Sequence, residues 1–214
     1  MQEENLKLNW PVIKGIIMES SRHIRTIHAH MKKAIAAQDR NLKFAFAPES
    51  CEKWYVMITN LKGGSDEYVF TDENEANGTG RSDGTGEFIF TLEIPAEFPA
   101  KPPKFKAITP TGLFTVGEYI CIHIGTYHSQ NYLPGIGLYG FVKQIEGGMT
   151  YWQELKHGLG IREDHARTNK AAFARASRQY NATHHPDIVA LLYSHYDDYS
   201  RDWPAANVND GTQL

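Results

Sequence analysis

The sequence predicts an α+β fold: an N-terminal helix, a four-stranded antiparallel meander, then C-terminal helices. Two changes of apolar period predict it. From Ile13 through Ile16, Ile17, Ile24, Ile27, Met31, Ala34 and Ile35 the apolar residues follow helical spacing. The period then becomes two, in Leu42, Phe44 and Phe46, in Trp54, Val56 and Ile58, and in Phe88, Phe90, Leu92 and Ile94. No helical stretch separates these runs, so the strands pair as neighbours rather than through βαβ crossovers.

The first helix is expected over about residues 11 to 38, with Pro11 in its first turn. Its outer face carries Arg22, Arg25, Lys32 and Lys33 together with His23, His28 and His30, a solvated basic face or a docking surface. The three alternating runs read as half-buried strands, and a short fourth strand follows "FPAKPPK" at Phe105 to Ile108. Between the second and third strands, "KGGSDEYVFTDENEANGTGRSDGTGE" is rich in Gly, Asp, Glu and Asn and reads as a flexible loop insertion near 62–86. It has neither the Lys-Ser/Thr of a phosphate loop nor the ligand order of a calcium loop.

An irregular stretch after Cys121 leads into a helix marked by Leu138, Phe141, Val142 and Ile145 and ended by Gly147-Gly148. Two more helices are expected, near Thr168 to Tyr180 and from Pro186 onward. One domain over residues 10–200 is expected, with a flexible segment at 1–9 and a tail at 201–214.

The 214 residues carry a formal charge of −3, which gives no electrostatic reason to expect a nucleic-acid or anionic-membrane partner. Two cysteines, Cys51 and Cys121, are too few for a disulfide framework, so a reducing compartment is the default. The polar first residues are not a signal peptide, and no stretch has the apolar length to span a bilayer. A cytoplasmic location, the nucleus included, is expected, and the N-x-T triplets at Asn77 and Asn181 are read as chance.

In "EYICIHIG", residues 118–125, Cys121 stands in an apolar run with His123 two positions on. Three readings fit the residues alone. The thiol could be a small buried hydrophobe, one of two metal ligands, or a nucleophile with one of the ten histidines as base. Two ligands do not complete a metal shell, so no metal site is expected. Cys51, among Glu49, Ser50 and Glu52, matches no catalytic frame.

The order of motifs around Cys121 resembles the ubiquitin-conjugating enzymes. Ile94-Pro95, Phe98-Pro99 and Pro102-Pro103 fill that family's proline-rich turn, and Ile120-Cys121 fills its catalytic position. Tyr132-Leu133-Pro134 fills its aromatic-x-Pro segment before a helix. Thr109-Pro110-Thr111-Gly112-Leu113-Phe114 is similar to the frame of the branch associated with endoplasmic-reticulum protein degradation, whose members commonly carry a membrane anchor; none is expected here. The resemblance covers roughly residues 10 to 200.

That resemblance implies Cys121 as acceptor of ubiquitin in a thioester, Thr111 in the place of an asparagine that organises the loop and steadies the oxyanion, and His128 as a group that orients or deprotonates the acceptor amine. It implies ubiquitin, an activating enzyme, a ubiquitin ligase and protein substrates as partners. Arg22, Arg25, Ala100 and Pro134 fall where the family meets its partner enzymes. No cofactor is implied, ATP being used by the activating enzyme. The alternatives are a conjugating-enzyme-like scaffold that binds ubiquitin or a ligase and transfers weakly, and a thiol hydrolase built on Cys121 and His128.

Overall fold

A computed structural model describes residues 21–61, 68, 85–151 and 169–194. Helix α1 spans Arg22–Ala36, and strands β1 (Leu42–Ala47), β2 (Ser50–Thr59), β3 (Glu87–Glu93) and β4 (Lys104–Ala107) follow. After two short 3-10 turns come α2 (Gly137–Thr150), α3 (Lys170–His184) and α4 (Pro186–Ser194). The sheet runs in the order β1-β2-β3-β4, every pair antiparallel, as the alternating runs predict.

The first helix differs from the expected span. Ser21 is extended (φ −55°, ψ 156°) and its hydroxyl accepts a hydrogen bond from the Ile24 N–H, so a helix starts at Arg22 and is not continuous through Ser21. Residues 11–20 lie outside the described residues. Nor do its histidines share the outer face with Arg22, Arg25, Lys32 and Lys33, which are exposed. All three are partly buried: His23 bonds Glu52 at 2.9 Å, His28 lies 4.7 Å from the Phe46 ring, and His30 lies 5.1 Å from the Phe98 ring. The imidazole has enough apolar surface to fill a gap at the edge of the core while one nitrogen keeps a polar contact.

The strands are also more buried than alternation implies. On the inner face Phe44, Trp54, Val56, Ile58, Phe88, Phe90 and Leu92 pack with Ile27 and Met31 of α1 and with Leu138, Phe141, Val142 and Ile145 of α2. On the outer face Ala45, Met57 and Ile89 are buried too, beneath Val189 and Leu192 of α4. The intervening residues of β1 to β3 are therefore covered by a second helical layer rather than by solvent.

Helix α2 runs on through Gly147-Gly148 to Thr150, whose hydroxyl donates to the Glu146 carbonyl. The two glycines do not end it, because packing of Ile145 and Met149 in the core offsets their weak helix propensity of about 1 kcal/mol each. Most of the 62–86 insertion and the expected terminal segments 1–9 and 201–214 lie outside the described residues. Among the described residues, no helix is long and apolar enough to cross a membrane.

Candidate active site

The segment that carries Cys121 is irregular, yet it is held at both ends. Before it, Gly117 donates to the Ala107 carbonyl and Ile120 to the Phe105 carbonyl, which ties the chain to the free edge of β4. After it, Gly125 donates to the Ile122 carbonyl and the Asn131 carboxamide donates to the His123 carbonyl at 3.0 Å, closing a turn. Between these ties Ile120, Ile122 and Ile124 point into the core. Cys121 is half-buried and free, and His123 is exposed. In the alternation that looks like a core strand, Cys121 and His123 are thus less buried than the isoleucines on either side, and Cys121 is only partly the buried hydrophobe of the first reading. Among the described residues no group of three metal-ligating side chains forms, around Cys121 or elsewhere.

A close approach and a pocket lie in the segment around Cys121. A Cβ added at Gly125 would lie 2.6 Å from Ile122 Cγ1, so the turn after the cysteine has room only for glycine. Beside it is a pocket of about 190 Å³ lined by Lys104, Phe105, Tyr119, Ile120, Ile122 and Tyr127, among others. On its rim, Lys106 Nζ lies 4.1 Å from the centre of the Tyr119 ring and 3.0 Å from Glu93, and the Tyr119 hydroxyl donates to Glu93 at 2.6 Å. Burial alone would raise the Glu93 carboxyl, but the Tyr119 hydroxyl and the Lys106 ammonium outweigh it and hold it below its ordinary value, so this side chain is an anion.

Thr111 is fully buried. Its hydroxyl oxygen accepts from the backbone N–H groups of Leu113 (3.1 Å) and Phe114 (3.0 Å), folding the turn 111–114 upon itself, with Gly112 at φ 72°. Its polar atom is committed to loop geometry and does not face solvent. His128 is exposed in the 3-10 segment Thr126–Asn131, with its N–H donating to the Gly125 carbonyl and φ −132°, ψ 44° that depart from helical values.

The remaining positions singled out by sequence are all exposed: Arg22 and Arg25 at the start of α1, Ala100 in the proline-rich turn, and Pro134 beside Leu133, which is 72% exposed. His30 links three of these segments. It sits against Phe98, and a Cβ at Gly137 (φ 66°) would come within 2.9 Å of its Cε1.

Two polar residues at the site were not singled out. Tyr68, inside the loop insertion, is buried and donates its hydroxyl to the Thr111 carbonyl at 2.8 Å. Asn181, read only as part of a chance N-x-T triplet, is fully buried on α3 and accepts from the Thr109 hydroxyl at 2.5 Å. No local signal marks either, since each partner is distant in sequence.

No protein-family model matches the chain. It is similar to proteins of known name: 26% identical over 117 residues to the ubiquitin-conjugating enzyme E2 6 of Eremothecium gossypii, which is 55% of this chain and 47% of that one. It is 36% identical over 96 residues to the E2 6 of Candida glabrata, 45% of this chain and 37% of that one. The chain therefore spans about half the length of these relatives or less. Among solved structures, a Plasmodium yoelii protein described as a ubiquitin conjugating enzyme aligns with a TM-score of 0.51 at 17% identity, over 77% of this chain and 96% of that one. The fold is thus that of the ubiquitin-conjugating enzymes, and the chain is related to that family. Within it, the sequence matches fall mainly on the enzymes named E2 6.

Proposed function

We propose that the chain is a ubiquitin-conjugating enzyme whose Cys121 accepts the carboxyl-terminal acyl group of ubiquitin from an activating enzyme and passes it to a lysine amine, or to a hydroxyl, of a protein substrate. The observation that carries this reading is the half-buried, free Cys121 among three buried isoleucines, on a segment tied to β4. A thiol so placed is held still while its sulfur stays within reach of another protein's thioester.

In the first step the Cys121 thiolate attacks the thioester carbonyl on the activating enzyme; a new C–S bond forms, the old one breaks, and the partner's thiol leaves. Sulfur replaces sulfur, so the exchange is near-isoenergetic. In the second step an amine nitrogen attacks, a C–N bond forms, the C–S bond breaks and Cys121 leaves as thiolate. The ammonium proton goes to a base or to water, and His128, exposed in the 3-10 segment after Cys121, is the candidate to orient or accept it. Thr111 serves by shaping the turn 111–114, and backbone N–H groups near Cys121 are left to steady the oxyanion. Ubiquitin, an activating enzyme and a ligase are the partners of this reaction, with no cofactor on the chain itself. Exposed Arg22, Arg25, Ala100 and Pro134 are candidate contacts for those enzymes.

The test is incubation with activating enzyme, ATP and ubiquitin, followed by gels with and without thiol. The expected result is a thiol-sensitive adduct that is lost in Cys121→Ala; absence of any adduct overturns the reading. In His128→Ala, discharge to free lysine should slow while loading is retained, and equal loss of both steps would remove His128 from the mechanism.

One observation favours a second reading, a scaffold that binds ubiquitin or a ligase and transfers weakly. The residue in the place of the family's asparagine has its hydroxyl buried and engaged by two loop amides. Retained ubiquitin or ligase binding without an adduct would select that reading.

A further inference from the structure

We propose that Asn181 of α3 and Tyr68 of the loop insertion are positioning residues for the turn 109–114, and through it for transfer from Cys121. This rests on the reading of Cys121 as acyl acceptor. The Asn181 carboxamide spans two parts of the molecule: its nitrogen donates to the Glu87 carbonyl of β3 at 2.7 Å, and its oxygen accepts from the Thr109 hydroxyl. The same Thr109 oxygen accepts from the Ile89 N–H at 2.9 Å. Asn181 and Thr109 are both fully buried, where a polar atom that loses its partner is costly.

Thr109 has one hydroxyl proton, and donating it to Asn181 leaves a lone pair for Ile89. Among the standard residues only serine repeats this at position 109 with a side chain that fits. The turn is thereby fixed at its first residue by a helix residue 72 positions further along the chain.

Two residues on, the turn is held from the other side. The Tyr68 ring packs edge-on against Phe88 with centroids 5.1 Å apart, and its hydroxyl donates to the Thr111 carbonyl. Thr111 itself gathers the N–H groups of Leu113 and Phe114. The chain then reaches Cys121 through the ties of Gly117 and Ile120 to β4. Residues 109 and 111 are thus clamped by two side chains, one from α3 and one from the insertion, and Thr111 can close the turn only where these place its backbone. Misplacement by about 1 Å in a site of this kind costs about a hundredfold in rate.

The test uses Tyr68→Phe, which keeps the ring on Phe88, and Thr109→Val, which keeps the shape and removes the hydroxyl, with Thr109→Ser as the conservative control. Two readouts are taken on the full chain. The first is single-turnover discharge of the ubiquitin thioester to free lysine at saturating lysine, beside the rate of loading. Tyr68→Phe and Thr109→Val should slow discharge about ten- to a hundredfold, with loading and the half-saturating lysine concentration changed less than about twofold, and Thr109→Ser should discharge near the wild-type rate.

The second readout is amide hydrogen exchange, which needs no ubiquitin. In both slow variants Leu113 and Phe114 should lose protection about tenfold more than Val56 in β2. Discharge and exchange both at wild-type levels overturn the proposal. So does an equal loss of protection at Val56, which would mean general destabilisation. If the wild-type chain takes no ubiquitin, the conjugating reading fails, and the exchange result alone decides whether Tyr68 and Asn181 hold the turn.

Discussion

Tyr132 carries a hydroxyl that is buried and has no hydrogen-bond partner among the described residues, and burial raises its pKa, which favours the protonated form. A buried polar atom left without a partner costs about 1–3 kcal/mol. Tyr132→Phe should therefore keep or raise stability by up to about 1 kcal/mol in chemical denaturation, and a clear loss would mean that the hydroxyl is satisfied in solution. His30 makes a contrasting case. Burial first, and the nearby Lys33 second, lower its pKa from the ordinary 6.5, which favours the neutral ring in the folded chain. The unfolded chain then takes up a proton first as pH falls through about 6.5, so this contribution is full above that value and is lost towards the lowered folded value. His28 and His185 are lowered in the same direction by burial. The melting temperature should fall between about pH 7 and 5, and less steeply in His30→Gln; equal slopes would remove His30 from the effect.

Elements meet here where side chains are absent or charged. A Cβ at Gly86 (φ 77°) would lie 2.8 Å from the Ala174 Cα of α3, so this glycine lets the helix backbone come down on the entrance to β3. Gly86→Ala should cost about 1–3 kcal/mol, with the loss read from denaturation and from weakened exchange protection along α3. Between α2 and the turn that follows α1, a polar cluster adds to the apolar packing. Asp39 accepts from the Asn41 N–H and the Tyr139 hydroxyl and pairs with Lys143, which also pairs with Glu146. Burial alone would raise the Asp39 carboxyl, but these donors together bring it below 3.8. A depressed carboxyl contributes stability above its unfolded value and loses it as pH falls through the folded one. Acid unfolding below about pH 4 should thus be blunted in Asp39→Asn, which starts less stable at neutral pH; parallel curves would show that Asp39 is not the titrating group.

On the scale of the whole molecule, helices cover both faces of the sheet. Leu192 of α4 is fully buried against Ala45, Met57 and Ile89, so Leu192→Ala should cost about 2–5 kcal/mol in a denaturant titration. The four strands and their order could be read in advance because each is written in residues close together: Leu42 to Phe46 alternate, and the prolines and aromatics that frame Ile120-Cys121 are equally local. What could not be read depends on partners far apart. Tyr68 lies in a polar insertion yet bonds residue 111, and Asn181 looks like any polar helical residue until Thr109 is found beside it. His28 and His30 were assigned to the outer face because polarity, not shape, was used to place them.

The second helical layer also sets an order of events during synthesis. All four strands leave the ribosome in the order in which they pair, whereas α4 follows Cys121, α2 and α3. Domains generally fold as units, and the outer face of the sheet, Ala45, Met57 and Ile89, has no cover until Val189 and Leu192 have been made. A chain halted after β4 lacks α2, α3 and α4 and so leaves apolar residues on both faces of its strands without their cover, an aggregation-prone state.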